Sequence, residues 1–108
     1  MSEDPIAFVS DVTNGLSVST ITADVTAAVN TMYVVEGDNG AVVVTLPATK
    51  VDGDVVYVKA LTSDILANPV TITPDTTDLI DGVNASISVS ADDGTLKLIT
   101  NGTNWYLS

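Results

Sequence analysis

The longest run typical of a β-strand in this sequence is Val55-Val56-Tyr57-Val58-Lys59-Ala60-Leu61. A second run, Ala41-Val42-Val43-Val44-Thr45-Leu46, precedes it and is stopped by Pro47. Both are rich in β-branched residues, which suit the pleated surface of a sheet and lose side-chain freedom in a helix. The same chemistry extends along the chain, where 17 Val, 15 Thr and 7 Ile make 39 β-branched residues among 108. The composition therefore predicts an all-β protein.

Turn signals separate the apolar runs at short intervals. Gly, Asn, Asp and Pro favour tight turns, and the signals fall at Asn14-Gly15, Glu36–Gly40, Val51–Asp54, Asp81-Gly82, Asp92–Gly94 and Asn101-Gly102. Many short strands at such spacing are typical of antiparallel sandwiches and barrels. We expect a small antiparallel β-sandwich or barrel of about 7–8 short strands over residues 24–108. An extended N-terminal arm over residues 1–23 is expected to precede it.

Two of the runs are apolar on both faces. Alternate side chains of a strand point to opposite faces, so Val42–Val44 and Val55–Val58 place apolar side chains on each side of their sheets. A small sandwich buries only one face of each sheet. The other face needs the N-terminal arm, another subunit or a host surface to cover it, unless the valines are simply scattered on the surface. We expect a trimer interface at Val42, Val44, Val56 and Val58.

The charged residues exclude several classes of function. The chain has 14 acidic residues against 3 lysines, a net charge of -11, and no Arg, His or Cys. Nucleic acids and anionic membranes need neutralising cations, so neither is an expected partner. Without His or Cys there is no Ser-His-Asp triad, thiolate nucleophile, disulfide or zinc-thiolate site. We expect no enzymatic activity and no cofactor.

Two weaker signals have simpler explanations. Acidic turns such as Asp52–Asp54 and Asp92-Asp93 offer oxygen ligands for calcium, but no stretch has the calcium-loop spacing, and Asp with Gly also forms ordinary turns. We expect no metal site. Trp105-Tyr106 could stack on a sugar, or one of its rings could complete the core from the last strand. The core position is the preferred interpretation, because the chain has few other large apolar side chains.

The order of strands and turns from Tyr33 onwards resembles a β-rich module that recurs in bacteriophage virion proteins, including tail fibres and head decoration proteins. The ordered set covers about three quarters of the chain, and its elements are Tyr33-Val34-Val35, Val42–Ala48, Gly53–Val56, Val58-Lys59, Asn68–Pro74, Leu79–Gly82, Leu96–Ile99 and Asn101–Tyr106. The resemblance implies a non-enzymatic structural module that is commonly trimeric, and it supplies no catalytic residues.

A short product that consists of this module and an arm resembles a head decoration (cement) protein. Such a protein would bind the major capsid protein on the outer surface of the virion, as a homotrimer made in the host cytoplasm. The arm would contact the capsid or a neighbouring subunit by adding a strand to an exposed edge. Its candidate contact residues are Ile6, Phe8, Val9, Val12, Leu16, Val18 and Ile21. Alternatively, the arm completes the sheet of its own subunit, and the protein is a tail-fibre or baseplate accessory module or a carbohydrate-binding module.

Overall fold

The computed structural model describes residues 16–38 and 40–108 and confirms an all-β protein. Every helix or strand assigned within these ranges is a β-strand. The nine strands are β1 (Ser17–Ile21), β2 (Val25–Thr26), β3 (Thr31–Glu36), β4 (Val42–Thr45), β5 (Asp52–Leu61), β6 (Val70–Thr73), β7 (Ile87–Ser88), β8 (Thr95–Asn101) and β9 (Trp105–Leu107).

The strands form two sheets, and the chain passes repeatedly from one to the other. The five-stranded sheet has the order β9-β8-β5-β3-β1, and the four-stranded sheet has the order β2-β4-β6-β7. The first six strands alternate between the sheets, so that β1–β2, β3–β4 and β5–β6 each form one coil of a short stack. Equivalent strands of successive coils run parallel, as in the pairing of β1 with β3 and of β3 with β5.

The predicted antiparallel arrangement is therefore wrong for the coiled part of the chain. Parallel pairs join β1–β3, β2–β4, β3–β5 and β4–β6, and antiparallel pairs join only β5–β8, β8–β9 and β6–β7 among the described strands. In an antiparallel arrangement the turn signal at Glu36–Gly40 would join two paired strands as a hairpin. Instead it carries the chain across to the opposite sheet, because β3 and β4 lie in different sheets. A turn signal marks where the chain reverses, and both arrangements satisfy it.

The core lies between the two sheets and is built from alternate residues of each strand. Val42 has 2% of its surface exposed, and Val44, Val56 and Val58 have 0%. We expected these four side chains to form a trimer interface. Instead they are buried between the two sheets of a single subunit. The side chains available on the outside belong to their neighbours, such as Val43 and Tyr57, which are half-buried.

The last strand completes this core with the largest buried side chain. Trp105 has 0% exposure and packs in the same cluster as Leu46, Ile72 and Leu98. An indole buried in this way has no face on which a sugar could stack, which removes the main support for a carbohydrate-binding module. The adjacent Tyr106 points outwards and is 39% exposed.

Part of the predicted arm belongs to the body of the fold. Residues 17–21 form β1 and pair in parallel with β3, so the five-stranded sheet begins before the expected boundary at residue 24. Leu16 and Val18 are exposed, whereas Ile21 is half-buried against the core. The remaining arm residues assigned to capsid contact, Ile6, Phe8, Val9 and Val12, lie outside the described residues.

Candidate functional site

The most distinctive surface is the outer face of the five-stranded sheet. The register aligns Val18 of β1 with Met32 of β3, and Met32 with Tyr57 of β5. Since the buried positions of β3 and β5 alternate with these residues, the aligned side chains share the outward side of the sheet. Tyr57 is aligned in turn with Lys97 of β8. One row of side chains therefore crosses four strands.

Two further rows extend this surface. Val34 lies between Thr20 and Lys59 in the next row, one step further along the strands. On the other side of the first row, Ile99 is aligned with Val55 and with Tyr106. We call the combined surface the outer face, and it consists of Val18, Thr20, Met32, Val34, Val55, Tyr57, Lys59, Lys97, Ile99 and Tyr106. It is mostly apolar although it lies on the outside of the chain.

The outer face also carries the surface lysines of the chain. The ammonium of Lys97 lies 5.8 Å from the centroid of the Tyr57 ring, a distance typical of a cation–π contact. The Nζ of Lys59 donates to the backbone carbonyl of Asp93 at 2.9 Å. The third lysine, Lys50, has a side chain only 5% exposed and forms an ion pair with Asp78 at 2.8 Å. The accessible positive charge is therefore concentrated on one surface of a strongly acidic protein.

The carboxylates of the described residues lie mostly away from the outer face, with Glu36 at its margin. They occupy turns and strand ends, where several accept backbone N–H groups. Asp24 accepts from Val43 N at 2.8 Å, and Asp92 accepts from Ile65 N at 2.8 Å. These bonds join segments that are far apart in the sequence, so the acidic residues help to hold turns and strand ends against one another. Among the described residues, no three acidic, His or Cys side chains are placed to share a metal ion.

Asp38 shows this turn chemistry most clearly. Its Oδ1 accepts from the backbone N–H of Ser63 at 2.9 Å and from the hydroxyl of Thr62 at 2.8 Å. The Ser63 N–H lowers the pKa of Asp38 most, and the Thr62 hydroxyl also lowers it, because both bonds favour the ionised carboxylate. Through these hydrogen bonds Asp38 connects the turn after β3 to the turn after β5, which lies at the same end of the adjacent coil.

The outer surface of the four-stranded sheet has a different character. Thr26, Thr45 and Thr73 are aligned across β2, β4 and β6, and the hydroxyl of Ser86 donates to the hydroxyl of Thr73 at 2.9 Å. The second outward row contains Val43 and Thr71 with Ser88 of β7. Since this surface consists mostly of hydroxyls, it is readily solvated and provides an internal comparison for the outer face.

The predicted interface and the outer face use different side chains of the same strand, β5. The prediction placed an interface at Val56 and Val58, which are buried, whereas Val55 and Tyr57 reach the surface. The sequence feature that could have identified the solvent-facing side of β5 is the pair of polar groups on it, the ammonium of Lys59 and the hydroxyl of Tyr57. Lys97 and Tyr106 were not selected because their alignment with β5 depends on long-range pairing.

Comparisons with known proteins do not assign the chain to a family. No protein-family model matches the sequence, and no curated protein is significantly similar to it. The described part of the chain contains no helix with the length and hydropathy needed to span a membrane.

Proposed function

We propose that this chain is a non-enzymatic structural protein of a bacteriophage virion, and that it decorates and stabilises the outer surface of the head. The observation that carries the proposal is the outer face, an apolar surface with two lysines on a chain of net charge -11. The largest apolar patch of a small protein, about 300–600 Å² on a typical monomer, is often a contact site. The resemblance of the ordered strands and turns to phage virion modules suggests the partner, which is the major capsid protein.

The charge distribution suggests why contact would use this face. Acidic subunits crowded on one particle repel each other, and like charges facing each other across an interface are unfavourable. The outer face keeps carboxylates at its margin and offers Lys59 and Lys97 to acidic groups of a partner. The acidic turns remain towards solvent, where they keep the particle surface soluble.

The size of the face favours many weak contacts over one strong contact. Five strands spaced about 4.8 Å apart, each crossing the face over a length of about five residues at about 3.3 Å per residue, cover roughly 350 Å². A stable interface buries about 800 Å² on each partner. A single outer face is therefore too small for tight binding. A homotrimer with three such faces, assembled in solution or on the capsid lattice, would gain retention through multivalency.

The test is retention on capsids of the phage that carries the gene, after removal of the native protein. Tyr57→Glu places a carboxylate in the middle of the outer face, and Thr71→Glu is the matched control on the outward side of the other sheet. Both positions are half-buried in the middle of a strand. We expect both variants to fold by circular dichroism, and only Tyr57→Glu to lose co-sedimentation with capsids. Equal retention of the two variants would refute the role of the outer face.

A tail-fibre or baseplate accessory protein is the second candidate, and the stacked coils support it. Parallel coils propagate along one axis, so a stack of this kind suits an elongated assembly. Labelling of the protein on intact virions by electron microscopy separates the candidates. Label over the head supports the decoration protein, and label confined to the tail supports the accessory protein.

A further inference from the structure

The turn between β8 and β9 holds an Asn-Gly dipeptide in a defined conformation. Asn101 ends β8, Trp105 begins β9, and Asn101 N donates to Asn104 O at 3.3 Å across the turn. Gly102 has a φ of +96°, in a region that Gly enters without steric cost. Because Gly102 has no side chain, no Cβ hinders the approach of its nitrogen to the side-chain carbonyl of Asn101.

The side-chain carbonyl of Asn101 is held by two backbone donors. Its Oδ1 accepts from Thr103 N at 3.0 Å and from Asn104 N at 2.9 Å. Short polar side chains often bond the backbone two residues further on in this way. Here two N–H groups converge on one oxygen, so they polarise the carbonyl carbon Cγ. They also lie where negative charge develops when a nucleophile attacks that carbon.

Hydrogen bonds also fix the nucleophile and the leaving group of such an attack. Gly102 N donates to the hydroxyl of the buried Thr100 at 3.0 Å, which sets the plane of the peptide group beside Asn101. On the other side, Nδ2 of Asn101 donates to the phenol oxygen of Tyr106 at 3.3 Å. The turn therefore restrains the Asn101 amide at both of its polar atoms and holds Cγ near the backbone nitrogen that follows it.

We propose that Asn101 is a self-modification site, at which the folded turn promotes loss of ammonia from the side chain. The Gly102 nitrogen forms a bond to Cγ, the bond between Cγ and Nδ2 breaks, and the proton lost from the Gly102 nitrogen leaves with Nδ2 as ammonia. Water then opens the resulting succinimide ring at either of its two carbonyl carbons. The products are aspartate and isoaspartate at position 101, and the only co-reactant is water.

The position of Asn101 lets water reach the ring. Asn101 is exposed, and it follows Lys97 and Ile99 on the outward side of β8. Asn104 in the same turn provides a contrast. It precedes the fully buried Trp105, and its Oδ1 accepts from Leu79 N at 3.1 Å. We therefore expect the reaction at Asn101 and not at Asn104.

The product changes the charge around the turn. Conversion of the amide to a carboxylate makes the net charge of -11 more negative by one unit. Position 101 is aligned with Asp52 of β5, so two carboxylates then lie on adjacent strands and repel each other. The new charge also lies beside Tyr106, at the margin of the outer face. The inference itself does not depend on the proposed function, since it follows from the chemistry of the turn alone.

The test follows the conversion of Asn101 by peptide mapping and mass spectrometry while the full chain is incubated at neutral pH. The same chain unfolded in guanidinium chloride, at matched pH, temperature and ionic strength, gives the rate of the dipeptide without the turn. One donor of an enzyme's oxyanion hole contributes a factor of about 10²–10³, and a turn exposed to water should contribute less. We expect conversion to be about tenfold faster in the folded chain. Equal or slower conversion in the folded chain would overturn the proposal.

Two variants at Thr103 test the donors themselves. Thr103→Pro removes the N–H from which Oδ1 of Asn101 accepts, whereas Thr103→Ala keeps that N–H at the same exposed position. We expect Thr103→Ala to react at the rate of the unmodified chain and Thr103→Pro to lose most of the acceleration, with both variants folded by circular dichroism. Equal rates in the two folded variants would show that the turn donors do not act on Asn101. If Thr103→Pro does not fold, the comparison of the folded with the unfolded chain decides alone.

Discussion

Trp105 carries the largest single contribution to the stability of the core, and its replacement by Ala gives a sharp test of the fold. The side chain is completely buried between the sheets. Burial of an aromatic side chain removes about 200 Å² from water, which at about 25 cal/mol per Å² corresponds to about 5 kcal/mol. Core truncations of Trp or Phe to Ala lose about 3–5 kcal/mol of the free energy of unfolding. We expect Trp105→Ala to fall in this range, a large part of the about 5–15 kcal/mol typical of a domain.

The assay is urea unfolding followed by circular dichroism, since the variant loses the only tryptophan of the chain. Tyr106→Ala is the matched control, because Tyr106 is the next residue on the same strand but points outwards. We expect it to lose less than about 1 kcal/mol, as is usual for surface substitutions. A loss below about 1 kcal/mol for Trp105→Ala, or an equal loss for both variants, would refute the burial argument.

Trp105→Phe keeps the test decisive if the Ala variant does not fold. The indole Nε1 is buried and has no hydrogen-bond partner among the described residues. A buried donor without a partner costs about 1–3 kcal/mol, and Phe removes that donor while it keeps an aromatic ring in the core. The two effects oppose each other, so we expect Trp105→Phe to fold and to lose less than about 2 kcal/mol. A loss as large as that expected for Ala would contradict this expectation.

Three further predictions concern the turns and the buried ion pair. The lowered pKa of Asp38 means that its carboxylate stabilises the fold above the pKa of the unfolded chain, and that this stability is lost as pH falls through the folded pKa. Between about pH 5 and pH 2, the Tm of Asp38→Asn should therefore fall less than that of the unmodified protein, and an equal fall would contradict this. Asp78→Asn leaves the buried Lys50 ammonium without its carboxylate partner, so the free energy of unfolding in urea should fall by about 2–4 kcal/mol. A change near zero would show that the ion pair is solvated. Gly102 has a φ of +96°, and a Cβ added at this position would lie 3.3 Å from the backbone nitrogen of Asp52. Gly102→Ala should therefore lower the free energy of unfolding by about 1–3 kcal/mol, and a stabilised variant would be inconsistent with this backbone conformation.

Local chemistry explains what could be predicted for this protein. The β-branched residues and the apolar runs predicted strands over Ala41–Leu46 and Val55–Leu61, and the structure confirms strands at Val42–Thr45 and Asp52–Leu61. Both features depend on residues close together in the chain. The preferred core position of Trp105 is also confirmed, since a chain with so few large side chains has little else to fill the space between two sheets.

The amino-acid sequence by itself determined that the chain forms strands, where the strands break, and which side chains alternate. Only the tertiary structure decided which sheet each strand joins and which of its two faces is buried. Period two fixes the spacing of side chains on each face but is the same for either choice, so Val56 and Tyr57 could not be told apart by spacing. A turn likewise reverses the chain whether the next strand lies beside the last or across the core. The parallel stack, the burial of Val56 and Val58 and the rows of the outer face all follow from long-range pairing, which local preferences do not specify.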